Sequence, residues 1–144
     1  MYIESNIFNW LMKNMPDRPP EIGGIIGGNN DIIKYIQLDI GIKQKCGCSY
    51  QPNTIMLNKK IREWSNISID FYGIFHTHFY NVDTLSEGDK RYIEKILLSM
   101  PNKVNKLYFP IVVIPRYELA PYCATKTNGI VKIKRDKLII KEEI

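Results

Sequence analysis

Histidine is scarce in this chain of 144 residues: the two it has are His76 and His78. They close an apolar run from Ile69 that reads as a strand. A strand's side-chain period of two sends both imidazoles to one face, where two nitrogens can share a metal ion. Further along stand Ser86 and, three residues on, Asp89. The apolar stripe Tyr92, Ile93, Ile96, Leu97 and Met100 predicts a helix begun at Ser86 and closed by Pro101. Asp89 lies one turn ahead of Tyr92 and Ile93 on that inward face. A carboxylate held away from water needs a cation or several hydrogen-bond donors. Two imidazoles and one carboxylate form a zinc-ligand set that leaves a fourth tetrahedral position to water, the pattern of catalytic zinc.

Zinc alone does not complete a hydrolase, because a proton must leave the attacking water and reach the departing amine. Glu21 is the candidate carrier. It heads the run Glu-Ile-Gly-Gly-Ile-Ile-Gly-Gly28, whose Gly23 and Gly24 permit close approach of backbone or substrate. A charged residue at a strand edge after a Pro-rich loop is the plainer reading of Glu21, and the residues alone leave both open. Ser86 offers a hydroxyl for the oxyanion of a tetrahedral intermediate. Ser86-Glu-Gly-Asp89 is equally a helix-capping pattern, and a capping Ser keeps its hydroxyl. A satisfied core residue is the usual fate of an isolated His, but a pair on one face beside an inward carboxylate argues against that reading here. Cys46 and Cys48 supply another alternative, a closed zinc site with both histidines that would strand Asp89 without a partner.

These side chains need elements to carry them. Ile7, Phe8, Leu11, Met12 and Met15 trace one face of a helix capped by Ser5 and stopped near Pro16. Glu21 to Gly28 reads as a buried strand, Asn29 to Asp31 as a turn, and Ile32 to Ile42 as the next strand. Lys43 to Asn53 is an irregular connection. Thr54 to Leu57 reads as strand-like, with Asn58 capping a short helix that carries Ile61 and Trp64. Phe79 to Leu85 is a loop between the histidines and the Ser86 helix. Strands follow at Tyr108 to Ile114, Leu119 to Thr125, Ile130 to Lys134 and Leu138 to Lys141, with turns at Pro115, Asn128-Gly129 and Arg135-Asp136. The sum is an α/β fold, a mixed sheet sandwiched by a few helices.

His76-Thr-His78, seven residues, then Ser86-Glu-Gly-Asp89, with Glu21 upstream at the head of a Gly-rich strand, resembles the JAMM (JAB/MPN) metalloproteases, in particular their stand-alone prokaryotic members. The resemblance follows the order of elements through the whole chain and implies one JAB/MPN-type domain over residues 1–144, with a cytidine-deaminase-like fold. It implies His76, His78 and Asp89 as ligands of one catalytic zinc, Glu21 as general base and acid through the zinc water, and Ser86 as oxyanion support. The implied activity is that of an isopeptidase or peptidase cutting the amide after the C-terminal tail of a ubiquitin-like or sulfur-carrier-like protein. Loops 43–53 and 79–85 would wall that substrate. Phe79 stands where family members usually have Pro, while every ligand and catalytic position is filled. Two other classes remain in view: a non-catalytic MPN-like binding or assembly module, and a DNA-associated relative with the same metal motif.

Composition narrows the classes. With 44% hydrophobic and 24% charged residues the chain suits one compact core, and disorder is excluded. No run nears the roughly 18 apolar residues of a membrane span, and the first ten residues lack the pattern of a secretory signal, so a cytoplasmic location is expected. Three cysteines, Cys46, Cys48 and Cys123, are too few for a disulfide scaffold. The net charge of +5 comes from fifteen Lys but only five Arg. Nucleic-acid readout favours the Arg fork, so DNA or RNA is not the expected partner. No motif sets an oligomeric state.

Overall fold

The computed structural model describes residues 1–41 and 50–142. Among these lie β1 (Tyr2–Glu4), α1 (Ser5–Asn14), β2 (Gly23–Asn29), β3 (Ile32–Asp39), α2 (Thr54–Asn66), β4 (Asp70–His78), α3 (Glu87–Ser99), β5 (Lys106–Tyr108), β6 (Ile111–Val113), β7 (Glu118–Ala120), β8 (Tyr122–Thr127), β9 (Ile130–Arg135) and β10 (Ile139–Lys141). The strands join in one mixed sheet, ordered β10-β1-β3-β2-β4-β5-β8-β9, with β6 attached to β4 and β7.

The hairpin β2–β3 turns through Asn30 and Asp31, both with positive φ (53° and 61°), a backbone state that Asn and Asp tolerate better than most residues. β4 runs antiparallel to β2 along its length. On its other side it pairs parallel with β5 at Gly73 and with β6 at His76, Thr77 and His78. Its last six residues are all buried, because helices cover both faces of the sheet there. One face packs Ile25 and Ile74 with Leu57 and Trp64 of α2 and Ile93 and Leu97 of α3. The other packs Ile26, Ile33 and Phe75 with Leu11 of α1.

Several local expectations change. Thr54 to Leu57 is the first turn of α2, not a strand: Asn53 caps the helix by accepting from the Met56 amide, and Leu57, Ile61 and Trp64 fall at helical spacing on one face. α1 starts one residue earlier than a Ser5 cap requires, with Glu4 at the cap position and no side-chain capping bond. The expected strand from Tyr108 to Ile114 is two, β5 and β6, parted at Phe109-Pro110, and Pro121 parts β7 from β8 in the same way. Proline has no N–H to give a ladder, so each break falls where the sequence withholds a donor. β2 begins at Gly23, which leaves Glu21 ahead of the strand instead of opening it.

Candidate metal centre

Three elements meet at the C-terminal end of β4. The alternation that puts Ile74 into the α2/α3 face continues to His76 and His78, both almost fully buried. Their Nε2 atoms face each other at 2.9 Å. α3 packs over this face and presents Asp89 from its first turn, with Oδ2 3.1 Å from Nε2 of His78 and 3.4 Å from Nε2 of His76. Thus three lone-pair atoms converge, and a proton or a cation must lie between them. A tetrahedral first-row cation with N and O ligands about 2.0–2.1 Å away spaces those ligands about 3.3–3.4 Å apart, close to this triangle. The residues fit such an ion. Nδ1 of each histidine is buried, and a backbone hydrogen bond at Val82 is among the causes that raise the His78 pKa.

Asp89 serves the helix as well. Ser86 Oγ accepts from the Asp89 amide at 3.0 Å, and Asp89 Oδ2 accepts from the Ser86 amide at 2.9 Å, a complete capping box. Capping and metal readings of this tetrad therefore coexist: the cap fixes the carboxylate rotamer that faces the histidines. Ser86 is exposed, and its hydroxyl, accepting from Asp89, still has its own proton to donate. Burial pushes the Asp89 carboxyl up. Hydrogen bonds from His76, His78 and the Ser86 amide outweigh that and hold it well below the usual carboxylate range. For His78, burial favours the neutral ring, but the Asp89 hydrogen bond and the charges of Asp89 and Glu21 raise its pKa above the ordinary value.

Glu21 reaches the same place from the segment just ahead of β2. Thr77, fully buried between the two histidines, clasps the residue after Glu21: its amide donates to the Ile22 carbonyl at 2.8 Å, and its Oγ1 accepts from the Ile22 amide at 3.0 Å. Gly23 pairs with His76 in the adjoining register, and a Cβ on Gly23 would strike the Phe75 carbonyl and lie 2.7 Å from the Tyr50 ring. The result is that a Glu21 carboxylate oxygen and a ring nitrogen of each histidine lie within 4.8 Å of one another. Asp89 Oδ2 also lies within 3.4 Å of both imidazoles, so two carboxylates flank the histidine pair.

A cleft of about 390 Å³ opens over these groups, lined by Pro19, Glu21, His78, Tyr80, Ser86 and Asp89, with Phe79, Val82, Thr84 and Leu85 from the loop expected to wall a substrate. Cys46 and Cys48 lie outside the described residues, as does most of the 43–53 connection. Sequence reasoning did not single out Asp39 or Tyr50. Tyr50 N–H donates to Glu21 Oε2 at 3.1 Å, and the Tyr50 hydroxyl donates to buried Asp39 at 2.9 Å. The run Leu-Asp39-Ile carries no period or motif that announces a buried acid.

No family model matches the chain, nor does any curated protein sequence. Solved structures do resemble it. One is the solution structure of a protein from Desulfitobacterium hafniense, with TM-score 0.68 and 15% identity over 99% of this chain and 94% of the other. Another is the crystal structure of a JAB1/MPN domain protein from Archaeoglobus fulgidus, with TM-score 0.55 and 17% identity over 97% of this chain and 98% of that one. At these identities the likeness is one of fold, and the fold is similar to that of a JAB1/MPN domain. Among the described residues no helix is long and apolar enough to cross a membrane.

Proposed function

We propose that this chain is a zinc hydrolase of the JAMM type, one domain that cleaves the amide after the C-terminal tail of a ubiquitin-like or sulfur-carrier-like protein. The observation that carries the reading is the convergence of His76, His78 and Asp89 beside a cleft lined by His78, Asp89 and Glu21. A structural zinc site is closed by four protein ligands, whereas the three groups that converge here among the described residues border an open cleft. The fold likeness supports the same reading.

His76 and His78 through Nε2 and Asp89 through Oδ2 would hold the ion. When bound, zinc supplies a Lewis acid that polarises a carbonyl and lowers the pKa of water toward about 7. Glu21 takes a proton at its carboxylate and delivers it to the departing amine. Ser86 lends its hydroxyl proton to the oxygen that gains charge at the scissile carbonyl. Phe79, Val82 and Leu85 line one side with apolar surface that excludes water from the reacting bond. An extended tail would enter beside the sheet, its backbone amides and carbonyls supplying affinity and side-chain pockets supplying choice.

The test pairs zinc content with turnover. Fusions ending in a ubiquitin-like or sulfur-carrier-like tail should be cut by the zinc-loaded protein, and Glu21→Gln should keep its zinc while losing about 10²- to 10⁴-fold in rate. Full activity in Glu21→Gln, or protein that takes up no zinc, would overturn the proposal. Zinc uptake without cleavage of any such fusion would point to the binding-module reading.

A further inference from the structure

Glu21 sits ahead of β2, so the backbone ladder does not fix its side chain. Among the described residues its carboxylate accepts from the amide of Tyr50, 29 positions away in sequence but adjacent in space. Tyr50 is itself held on three sides. Its hydroxyl donates to Asp39 Oδ2, its ring lies against Gly23, and that ring stacks near-parallel to His76, with 6.3 Å between centroids and 16° between planes. Asp39 is a carboxylate only 4% exposed, at the end of β3, and the proposed chemistry has no direct use for it. Besides the Tyr50 hydroxyl it accepts from the Gly41 amide at 2.8 Å and from the Asn53 amide at 2.9 Å. One buried acid thereby ties both ends of the β3–α2 connection to the residue that grips Glu21.

We propose that Asp39 and Tyr50 are positioning residues for Glu21: Asp39 anchors the Tyr50 hydroxyl, which sets the Tyr50 amide against the Glu21 carboxylate and the ring against His76. The inference rests on the reading of Glu21 as proton carrier. Among the described residues three donors meet Asp39, so it is a paired acid in the core. A carboxylate that must meet a water and then an amine gains from an amide that limits its rotation, since misplacement of about 1 Å costs about 100-fold in rate. Tyr50 burial and the neighbouring Asp39 raise the phenol pKa, which keeps its hydroxyl a donor.

Two arms test this. In the first, Tyr50→Phe removes the hydroxyl alone, and Asp39→Asn keeps shape while turning one acceptor into a donor. Each should lower kcat by about 10- to 100-fold with KM changed less than about twofold, zinc retained. In a Glu21→Gln background neither should lower the residual rate further, because the group they position is already disabled. Losses that persist undiminished in that background, or that fall on KM, would reduce the clasp to a fold element and overturn the proposal. The second arm needs neither zinc nor substrate and leaves the clasp residues native. Glu21→Ala should shift the Tyr50 amide resonance and speed its hydrogen exchange by about tenfold or more, with amides of β8 and β9 unmoved. An unchanged Tyr50 amide alongside an inactive Glu21→Gln sinks the clasp alone. A coupled Tyr50 amide alongside a fully active Glu21→Gln sinks the catalytic reading instead.

Discussion

The two ends of β4 each border a cleft, and the larger one is not the one beside which the histidines converge. At the N-terminal end, Ile69, Asp70, Phe71 and Tyr72 line a space of about 530 Å³ with Ile61, Met100 and Lys103. At the C-terminal end the space is about 390 Å³. The first brings together one acid and scattered lysines around an apolar wall. The second borders the two buried imidazoles of β4, the Asp89 carboxylate of α3 and the Glu21 carboxylate from the segment ahead of β2. Volume alone therefore says little about function, and the convergence of polar groups that fold and burial force together says much more. The same strand supplies both, and what separates them is the partner strands, β5 at Gly73 and β6 at His76 to His78, and the cap of α3.

The sharpest way to break the contrast is to empty one end. His78→Ala should reduce zinc content after dialysis from stoichiometric to near zero, and Asp89→Asn should weaken retention as well. Asp70→Asn at the other end should leave zinc content and turnover unchanged. Metal analysis of the three proteins decides it, with circular dichroism to show that each is folded. Zinc that survives in both His78→Ala and Asp89→Asn would move the site elsewhere and remove the distinction between the ends.

Ser86→Ala probes a smaller effect with two separable parts. The lost hydroxyl should cost about 10²-fold in kcat, in the range seen for single oxyanion donors. The lost cap should cost about 1 kcal/mol, or about 2–4 °C in Tm for a chain of this size. Ser86→Asp retains an acceptor for the Asp89 amide and, ionised, has no proton to donate. It should recover much of the Tm and little of the rate. Recovery of both would assign Ser86 to the helix and not to the chemistry.

Most of this site could be read in the sequence because its parts obey short-range rules. The period of two places His76 and His78 together, and the capping tetrad turns Asp89 inward one helical turn before Ile93. The α2 start was misread because Thr54 to Leu57 is too short an apolar run to choose between strand and helix, and Asn53, not Asn58, holds the cap. The β5–β6 and β7–β8 breaks were signalled by Pro110 and Pro121. Tertiary pairing was needed to show that β4 changes partners at the first of them. Asp39 and Tyr50 were illegible because their meaning lies in contacts across 11 positions and with Glu21 across 29. No local pattern encodes a distance of that kind.

The smallest expected effect lies at the quiet end of β4. Tyr108, which pairs with Gly73, donates its hydroxyl to Asp31 at 3.1 Å, and burial together with the Asp31 charge pushes its pKa up to about 12 despite the opposing pull of Lys106. A phenol whose folded pKa lies above the unfolded value of about 10 contributes stability that is whole below pH about 10 and is lost as the pH climbs through about 12. Urea unfolding at pH 8 and at pH 11 should therefore differ, and Tyr108→Phe should narrow that gap because the variant has no proton there to lose. At pH 8 the substitution removes one hydrogen bond and should cost about 1 kcal/mol or less. Zinc binding and turnover should not follow, since Tyr108 packs on the α1 face of the sheet and the histidines on the other. A gap equal to wild type would deny Tyr108 its alkaline role. A change in zinc content would instead couple the two ends of the strand, which the geometry holds apart.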